Sequence, residues 1–340
     1  MNHRILMHNQ TSNALTPQKK IDLFNFPFTL NMNIGCLYAC RYCYLQKFPF
    51  SHHAEFGKEV KVKLWIPEKL DLELEKYRDL PQHLKRVQVN PATEGLHPKV
   101  LQYTRDHCNR DLVRETLQVF LRHWNAGNHW MVHFVTKSNS VTDYVDLLTE
   151  LKHMVQVEIT IITANQQLSR QVELYTPSVN ARLRAVETLS KAGIFVRVMA
   201  MPFMTTFSVE EQIHDDLVIL KELCFNRGAI AFKNKGLNYF DESDVQAGEA
   251  KHKKGQEDQY FADLIIRFGE PILDENGAEQ RRSVLMPQQA NWHNWAGKSW
   301  RDRMEARDEV VVNCGYGQLN EIEWGNILWL RRKGTLIAAS

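Results

Sequence analysis

The sequence predicts an α/β protein, a partial (β/α)6 barrel followed by an irregular C-terminal extension. Between about residues 28 and 235, short runs rich in β-branched residues alternate with segments whose apolar residues recur at helical spacing. The alternation runs through six units, and parallel strands in sequence need crossover helices between them. After residue 235 the periodicity stops. The chain therefore divides into an N-terminal segment 1–27, a core domain 28–235 and an extension 236–340.

The stretch FTLNMNIG (28–35) opens the pattern as a strand and leads into a cysteine-rich loop. RVQVN (86–90) is the second strand, ending at PATEG. In 111–124, Leu112, Val113, Leu117, Phe120 and Leu121 fall on one helical face. WMVHFVTKS (130–138) is the third strand. In 141–154, Val141, Tyr144, Val145, Leu148 and Leu151 mark the next helix. VQVEITIIT (155–163) is the fourth strand. A helix over 178–193 stops at Gly193, and IFVRVMAMP (194–202) is the fifth strand. Ser208 and Glu211 have the spacing of a capping box before a helix to about 225, and AIAF (229–232) is the sixth strand. Beyond it lie a polar, aperiodic stretch, the tryptophan-rich NWHNWAGKSW and a short strand-like DEVVVNCGYG.

The 340 residues are 44% hydrophobic and 24% charged, and 42 basic against 40 acidic side chains leave a net charge of +2. That balance excludes neither a nucleic-acid partner nor any other. No apolar run approaches the ~20 residues that span a bilayer, and the polar N-terminus has no signal-peptide core. Both point to the cytoplasm and away from a membrane.

Three of the six cysteines, Cys36, Cys40 and Cys43, lie within GCLYACRYCYLQ, whereas Cys108, Cys224 and Cys314 stand alone. Close thiolates in a chain without a disulfide framework suit a metal centre. A structural zinc site needs four protein ligands, and only His52 or His53 is near enough to complete a Cys3His set. An electron-transfer cluster also uses four cysteines. Three ligands suit a [4Fe-4S] cluster with one iron left open. The loop follows the first strand, where barrels of parallel strands place their chemistry.

The Cys-x3-Cys-x2-Cys spacing after a strand, with Tyr42 before the last cysteine, resembles the radical S-adenosylmethionine (SAM) superfamily. GCLYACRYCYLQ with Tyr44 and Leu45, FVTKS (134–138), VEITIIT (157–163) and ELYTPSVNARLRAVETLSKAGIFVRV (173–198) resemble its spore photoproduct lyase branch, in order, over about residues 30–205. The resemblance implies that the open iron binds the amino and carboxylate groups of SAM. Reductive cleavage of SAM then gives a 5′-deoxyadenosyl radical that abstracts hydrogen from a substrate. It implies a reducing partner such as flavodoxin or ferredoxin, and a nucleic-acid or nucleotide substrate. It places the backbone of Tyr42 against adenine, Lys137 and Thr160 as polar contacts to SAM, Arg182 near the SAM carboxylate, and Thr93 and Glu94 at the SAM amino group. No catalytic residue is assigned.

One departure is specific. That branch carries a cysteine before its Ser-Asp turn, to return a hydrogen atom to the product; here Asn90 or Pro91 stands there. This argues against repair of the thymine spore lesion, unless Cys314 or Tyr316 reaches in. Trp292, Trp295 and Trp300 with Lys298, Arg301 and Arg303 could stack on bases and meet phosphates, although packing of the tryptophans against the barrel is favoured. His129 and His133 are read as ordinary. Two alternatives stay open: a radical SAM enzyme acting on a peptide or small metabolite, and a non-catalytic Cys3His zinc protein.

Overall fold

The computed structural model describes residues 3–18, 26–43, 45, 56–81, 84–206 and 210–234, with the short strands 270–273, 279–282 and 293–296. Tyr44, His52, His53, Ser208, Trp292 and Lys298 lie outside the described residues, as do Trp300, Arg301, Arg303, Cys314 and Tyr316.

In chain order the strands are β1 (Arg4–Met7), β2 (Thr16–Pro17), β3 (Phe28–Leu30), β4 (Asn33–Ile34), β5 (Glu59–Val62), β6 (Arg86–Val89), β7 (Met131–Thr136), β8 (Val155–Thr160), β9 (Phe195–Ala200), β10 (Ala231–Asn234), β11 (Glu270–Leu273), β12 (Glu279–Arg282) and β13 (His293–Ala296). The helices are α1 (Ile66–Lys76), α2 (Pro98–Cys108), α3 (Leu112–Asn125), α4 (Val145–Glu150), α5 (Gln166–Val172), α6 (Val179–Lys191) and α7 (Glu210–Asn226).

The main sheet runs β13-β10-β9-β8-β7-β6-β3-β2. Its six central members, β3 to β10, pair in parallel, each with the next in sequence. This is the α/β, partial-barrel order that the alternating pattern predicts. The outer strands β2 and β13 join antiparallel, and β13 sets Trp295 opposite Phe232. The 236–340 stretch thus contributes one strand to the barrel sheet.

The alternation inside each strand decides which face is which. Val132, Phe134, Val157, Ile159, Val196 and Val198 pack in one core cluster with helix residues such as Val113, Leu117, Phe120, Leu183 and Val186. The intervening residues, His133, Gln156, Glu158 and Arg197, share the opposite, concave face and are buried. Side chains alternate across a strand, so an apolar outer face for the helices forces the polar set inward.

Two expectations change. The run 28–35 is not one strand: β3 stays in the barrel, while β4 leaves it for a separate sheet of order β1-β5-β4. Gly35 turns the chain there at φ 85°, a left-handed angle that favours glycine, and a Cβ at this position would lie 2.6 Å from the Glu59 carbonyl oxygen. The segment 141–154 is a 3-10 turn over Asn139–Tyr144 followed by the short α4. Among the described residues no helix is long and apolar enough to cross a membrane.

Phe120 on α3 is 1% exposed within the core cluster that binds helices to sheet. Phe120→Ala should lower unfolding free energy by about 3–5 kcal/mol, through lost transfer energy and the cavity left behind. Urea denaturation checks this, and a loss below about 1 kcal/mol would show that the site collapses around the smaller side chain.

Candidate cofactor site

The cysteine loop is gripped from two sides by apolar contacts. On one side Leu37, fully buried, packs with Val60 and Val62 of the small sheet and with Val100 and Leu112. On the other, Tyr38, Cys40 and Tyr42 pack with Ile162, Leu168, Val172 and Met204. Cys40 is buried, and Cys36 and Cys43 are half-buried against that cluster. The loop's backbone is tied to α5: Arg41 N–H donates to the Val172 carbonyl at 2.9 Å, and Cys40 forms an isolated bridge with Glu173.

Glu173 joins the loop to the barrel. Its carboxylate accepts from the Tyr42 hydroxyl, from Ser169 Oγ at 3.3 Å and from Arg182 Nη2 at 2.5 Å. Arg182 is fully buried; its Nη1 donates to the Thr160 carbonyl at 2.8 Å and its Nη2 also to Ser169 Oγ at 3.0 Å. Burial alone would raise the Glu173 carboxyl, yet Arg182 and then Lys137 outweigh it and hold it below its ordinary range. Ser178 caps α6 by accepting from Ala181 N–H at 3.2 Å, which sets Arg182 one turn into the helix.

The turn after β6 supplies Thr93 and Glu94. The Thr93 hydroxyl donates to the Gly35 carbonyl, beside Cys36. Glu94 is 3% exposed and accepts three hydrogen bonds: from Thr136 Oγ1 at 2.8 Å, Lys137 N–H at 2.8 Å and Leu96 N–H at 3.0 Å. An ionised carboxylate has room for about four acceptor contacts, so capacity for one more remains. Burial still pushes the Glu94 carboxyl up. Lys137 Nζ lies 5.7 Å from the centroid of the Tyr42 ring.

The predicted site residues therefore converge at the C-terminal ends of the strands. Thr93 touches the cysteine loop, Glu94 holds Lys137, Lys137 lies over Tyr42, and Tyr42 reaches Glu173, which pairs with Arg182 beside Thr160. Arg182 thus meets a carboxylate supplied by the chain itself. The Cys36 thiol is pushed up to about 12, by burial first and the Glu94 charge second. Burial likewise raises Cys40 and Cys43, while Lys137 opposes the rise at all three.

The donor set fits a cluster. Three soft sulfur ligands, a cation facing them and an apolar rear wall are the ingredients of an iron–sulfur site. Among the described residues, no group of three His, Cys, Asp or Glu side chains is arranged around a single metal ion. A cluster asks for no such convergence, because each thiolate binds a different iron. Cys108 and Cys224 are not in the loop's apolar cluster.

Several functional neighbours were not legible in the sequence. Glu173 was visible as part of a motif, but its contact with Tyr42 spans 131 residues. His97 caps α2, its Nδ1 accepting from Lys99 N–H at 3.2 Å, and its ring lies 4.7 Å from that of Tyr38 inside the loop. His133, read as ordinary, is fully buried 3.6 Å from Glu158, which also pairs with Arg197. Asn90, at the position of the departure, has φ 58° and accepts from Met32 N–H at 3.2 Å. Its left-handed geometry explains the asparagine there.

A family model described as "Radical SAM superfamily" matches residues 30–217, more than half of the chain. An uncharacterized protein of Acidianus two-tailed virus is 24% identical over 281 residues, covering 81% of this chain and 83% of that one. An uncharacterized protein of Methanocaldococcus jannaschii is 24% identical over 169 residues, which cover 49% of this chain and 56% of that one. Among solved structures, a spore photoproduct lyase mutant matches with TM-score 0.52 and 12% identity, over 91% of this chain and 76% of that one. A second mutant of spore photoproduct lyase, with bound AdoMet and dinucleoside spore photoproduct, matches with TM-score 0.51 and 11% identity over the same shares. At such identities the likeness is one of fold.

Glu173→Ala should cost about 3–5 kcal/mol, because it strands a buried guanidinium. Pairing it with Arg182→Met should recover part of that loss, and a double variant no more stable than Glu173→Ala in urea would contradict this account. His97 gives a pH signature. Burial, and then the charges of His3 and Lys99, lower its pKa from 6.5 to about 4. The unfolded chain therefore takes up the proton first, so His97 contributes no penalty above pH 6.5 and a growing one as pH falls toward 4. His97→Asn, which keeps a capping oxygen, should remove about 2 kcal/mol of the stability difference between pH 7 and pH 5. Equal pH dependence of the two proteins in urea titrations would overturn that assignment.

Proposed function

The chain belongs to the radical SAM superfamily, and on that premise we propose that Cys36, Cys40 and Cys43 hold a [4Fe-4S] cluster for hydrogen abstraction from a nucleic-acid or nucleotide substrate. The protein is a radical SAM enzyme; the cluster, its ligands and the substrate are the proposal. The observation that carries it is the convergence of three thiols, Glu94 and Lys137 on one loop cluster at the C-terminal ends of the strands. When bound, cluster and SAM together supply one-electron cleavage of the sulfonium and a carbon radical able to abstract hydrogen.

The chain's own residues bind and orient. An amino-acid head carries an ammonium beside a carboxylate, and neighbouring Glu94 and Lys137 offer the complementary pair. Glu94 has one acceptor position left for the ammonium, in a partly buried setting where charge-assisted hydrogen bonds are strong. Thr93 stabilises the turn that carries Glu94. Glu173 and Arg182 hold Tyr42, and with it the loop segment assigned to adenine; Thr160, whose carbonyl accepts from Arg182, is the assigned polar contact at the end of β8. The concave face below carries His133, Gln156, Glu158 and Arg197 among apolar side chains such as Val135 and Phe195, and this buried polar set suits a polar substrate.

We take 28–235 as the catalytic unit and the cytoplasm as its location; the described cysteines are all free thiols, as a reducing compartment maintains. The nucleic-acid reading rests on the ordered motifs shared with the spore photoproduct lyase branch. A peptide or small metabolite replaces it if binding of DNA and RNA is absent or ignores salt. A Cys3His zinc protein replaces the enzyme if the anaerobically purified chain is colourless and holds one zinc.

After anaerobic reconstitution the protein should carry about four irons and convert SAM to 5′-deoxyadenosine on reduction. Cys36→Ala, Cys40→Ala and Cys43→Ala should each abolish that product and the iron–sulfur absorbance, whereas Cys108→Ala should keep both. Product formation by any of the three loop variants refutes the ligand assignment.

A further inference from the structure

The outer side of the cysteine loop carries a surface that cofactor binding does not explain. Leu174 and Tyr175 follow Glu173, the bridge partner of Cys40, and are 40% and 39% exposed. The Tyr175 ring meets His3 at 5.2 Å, His3 meets Lys99 Nζ through Nδ1 at 3.1 Å, and Arg4 N–H donates to the Lys58 carbonyl at 2.7 Å. Arg41, beside Val172, completes the rim. Arg4, Arg41, Lys58 and Lys99 are exposed, and Lys61 partly so. Glu59 is the acidic residue within this set of contacts, and it is engaged by Arg4 at 2.8 Å and Lys61 at 3.6 Å. An apolar centre with a basic rim is the anatomy of a protein interface for an acidic partner.

The surface also leads inward. Ring contacts run from Tyr175 to His3, from His3 to His97 at 6.3 Å, and from His97 at 4.7 Å to Tyr38, between Cys36 and Cys40. Electron tunnelling falls steeply with distance, so a donor must dock where the thiolates lie closest to solvent through packed atoms.

We infer that this face, Leu174 and Tyr175 within the ring of Arg4, Arg41, Lys58 and Lys99, docks a small acidic one-electron carrier protein that reduces the cluster. The inference rests on the function proposed above. One electron leaves the reduced carrier, which is oxidised by one, and enters the cluster, which is reduced by one; no bond or proton need move between the proteins. The carrier is of flavin or iron–sulfur type, and its acidic surface meets the basic rim.

The test uses the full chain, reconstituted, with reduced flavodoxin of strongly negative net charge as probe. The variant Lys58→Glu with Lys99→Glu suits it: both positions are exposed, and an acidic residue is favoured in the first turn of α2, where Lys99 lies. Anaerobic titration should show flavodoxin binding weakened about 10-fold at low salt. The gap should shrink at about 0.5 M salt, where charges at such spacing are screened. Flavodoxin-driven SAM cleavage should fall in parallel, while dithionite-driven cleavage stays at the wild-type rate. Unchanged flavodoxin affinity at low salt overturns the inference. So does an equal loss with dithionite, or loss of nucleic-acid binding with flavodoxin binding intact. Absence of dithionite-driven cleavage in the wild type would instead sink the proposed function, and the binding titration would still judge the surface.

Discussion

The carboxylate of Glu173 is the joint on which the site depends. It lies between a loop with little regular hydrogen bonding and a rigid barrel, and it takes contacts from both: Tyr42 on one side, Ser169 and Arg182 on the other. Arg182 carries the connection into β8 through the Thr160 carbonyl. A buried ion pair is a poor source of net stability, because desolvating two charges offsets their attraction. Its value here is geometric. A fixed carboxylate at this point sets where Tyr42, and hence Cys40 and Cys43, stand relative to the strand ends.

The thiols themselves show why such a frame is needed. Burial favours the neutral thiol at all three, with the Glu94 charge adding to it at Cys36 and the Glu173 charge at Cys40, whereas Lys137 favours the thiolate. Metal binding needs the thiolate form and therefore displaces protons. The site is held by packing: Leu37 on the small sheet, and Tyr38, Cys40 and Tyr42 against Ile162, Val172 and Met204. The three cysteines are thus positioned by the apolar contacts around them. The same packing brings Tyr38 onto His97 and links the loop to the face that carries Tyr175.

The concave face makes a related point about polarity. Glu158 and Arg197 pair across neighbouring strands, His133 lies beside them, and among the described residues neither the oxygen nor the nitrogen of the Gln156 side-chain amide has a hydrogen-bond partner. Apolar residues at these positions would give a more stable core, since an unsatisfied buried polar group costs ~1–3 kcal/mol. Retaining polar groups there agrees with an interior that receives a polar ligand.

The six-strand order, the helices at 112–125 and 179–191, and the place of the cysteine loop were legible in the sequence. Each is written in local periodicity, and parallel strands joined by helices leave few topologies. The count of three cysteines was equally local, and it was what suggested the reading as an open metal centre. Only the tertiary structure decided that β4 leaves the barrel for a small sheet, that Arg182 is engaged by Glu173, and that His133 faces Glu158. The contact of Tyr42 with Glu173, decided in the same way, spans 131 positions. Periodicity tells which face of an element is buried, whereas the partner it meets there is set by how whole elements pack, which no local pattern records.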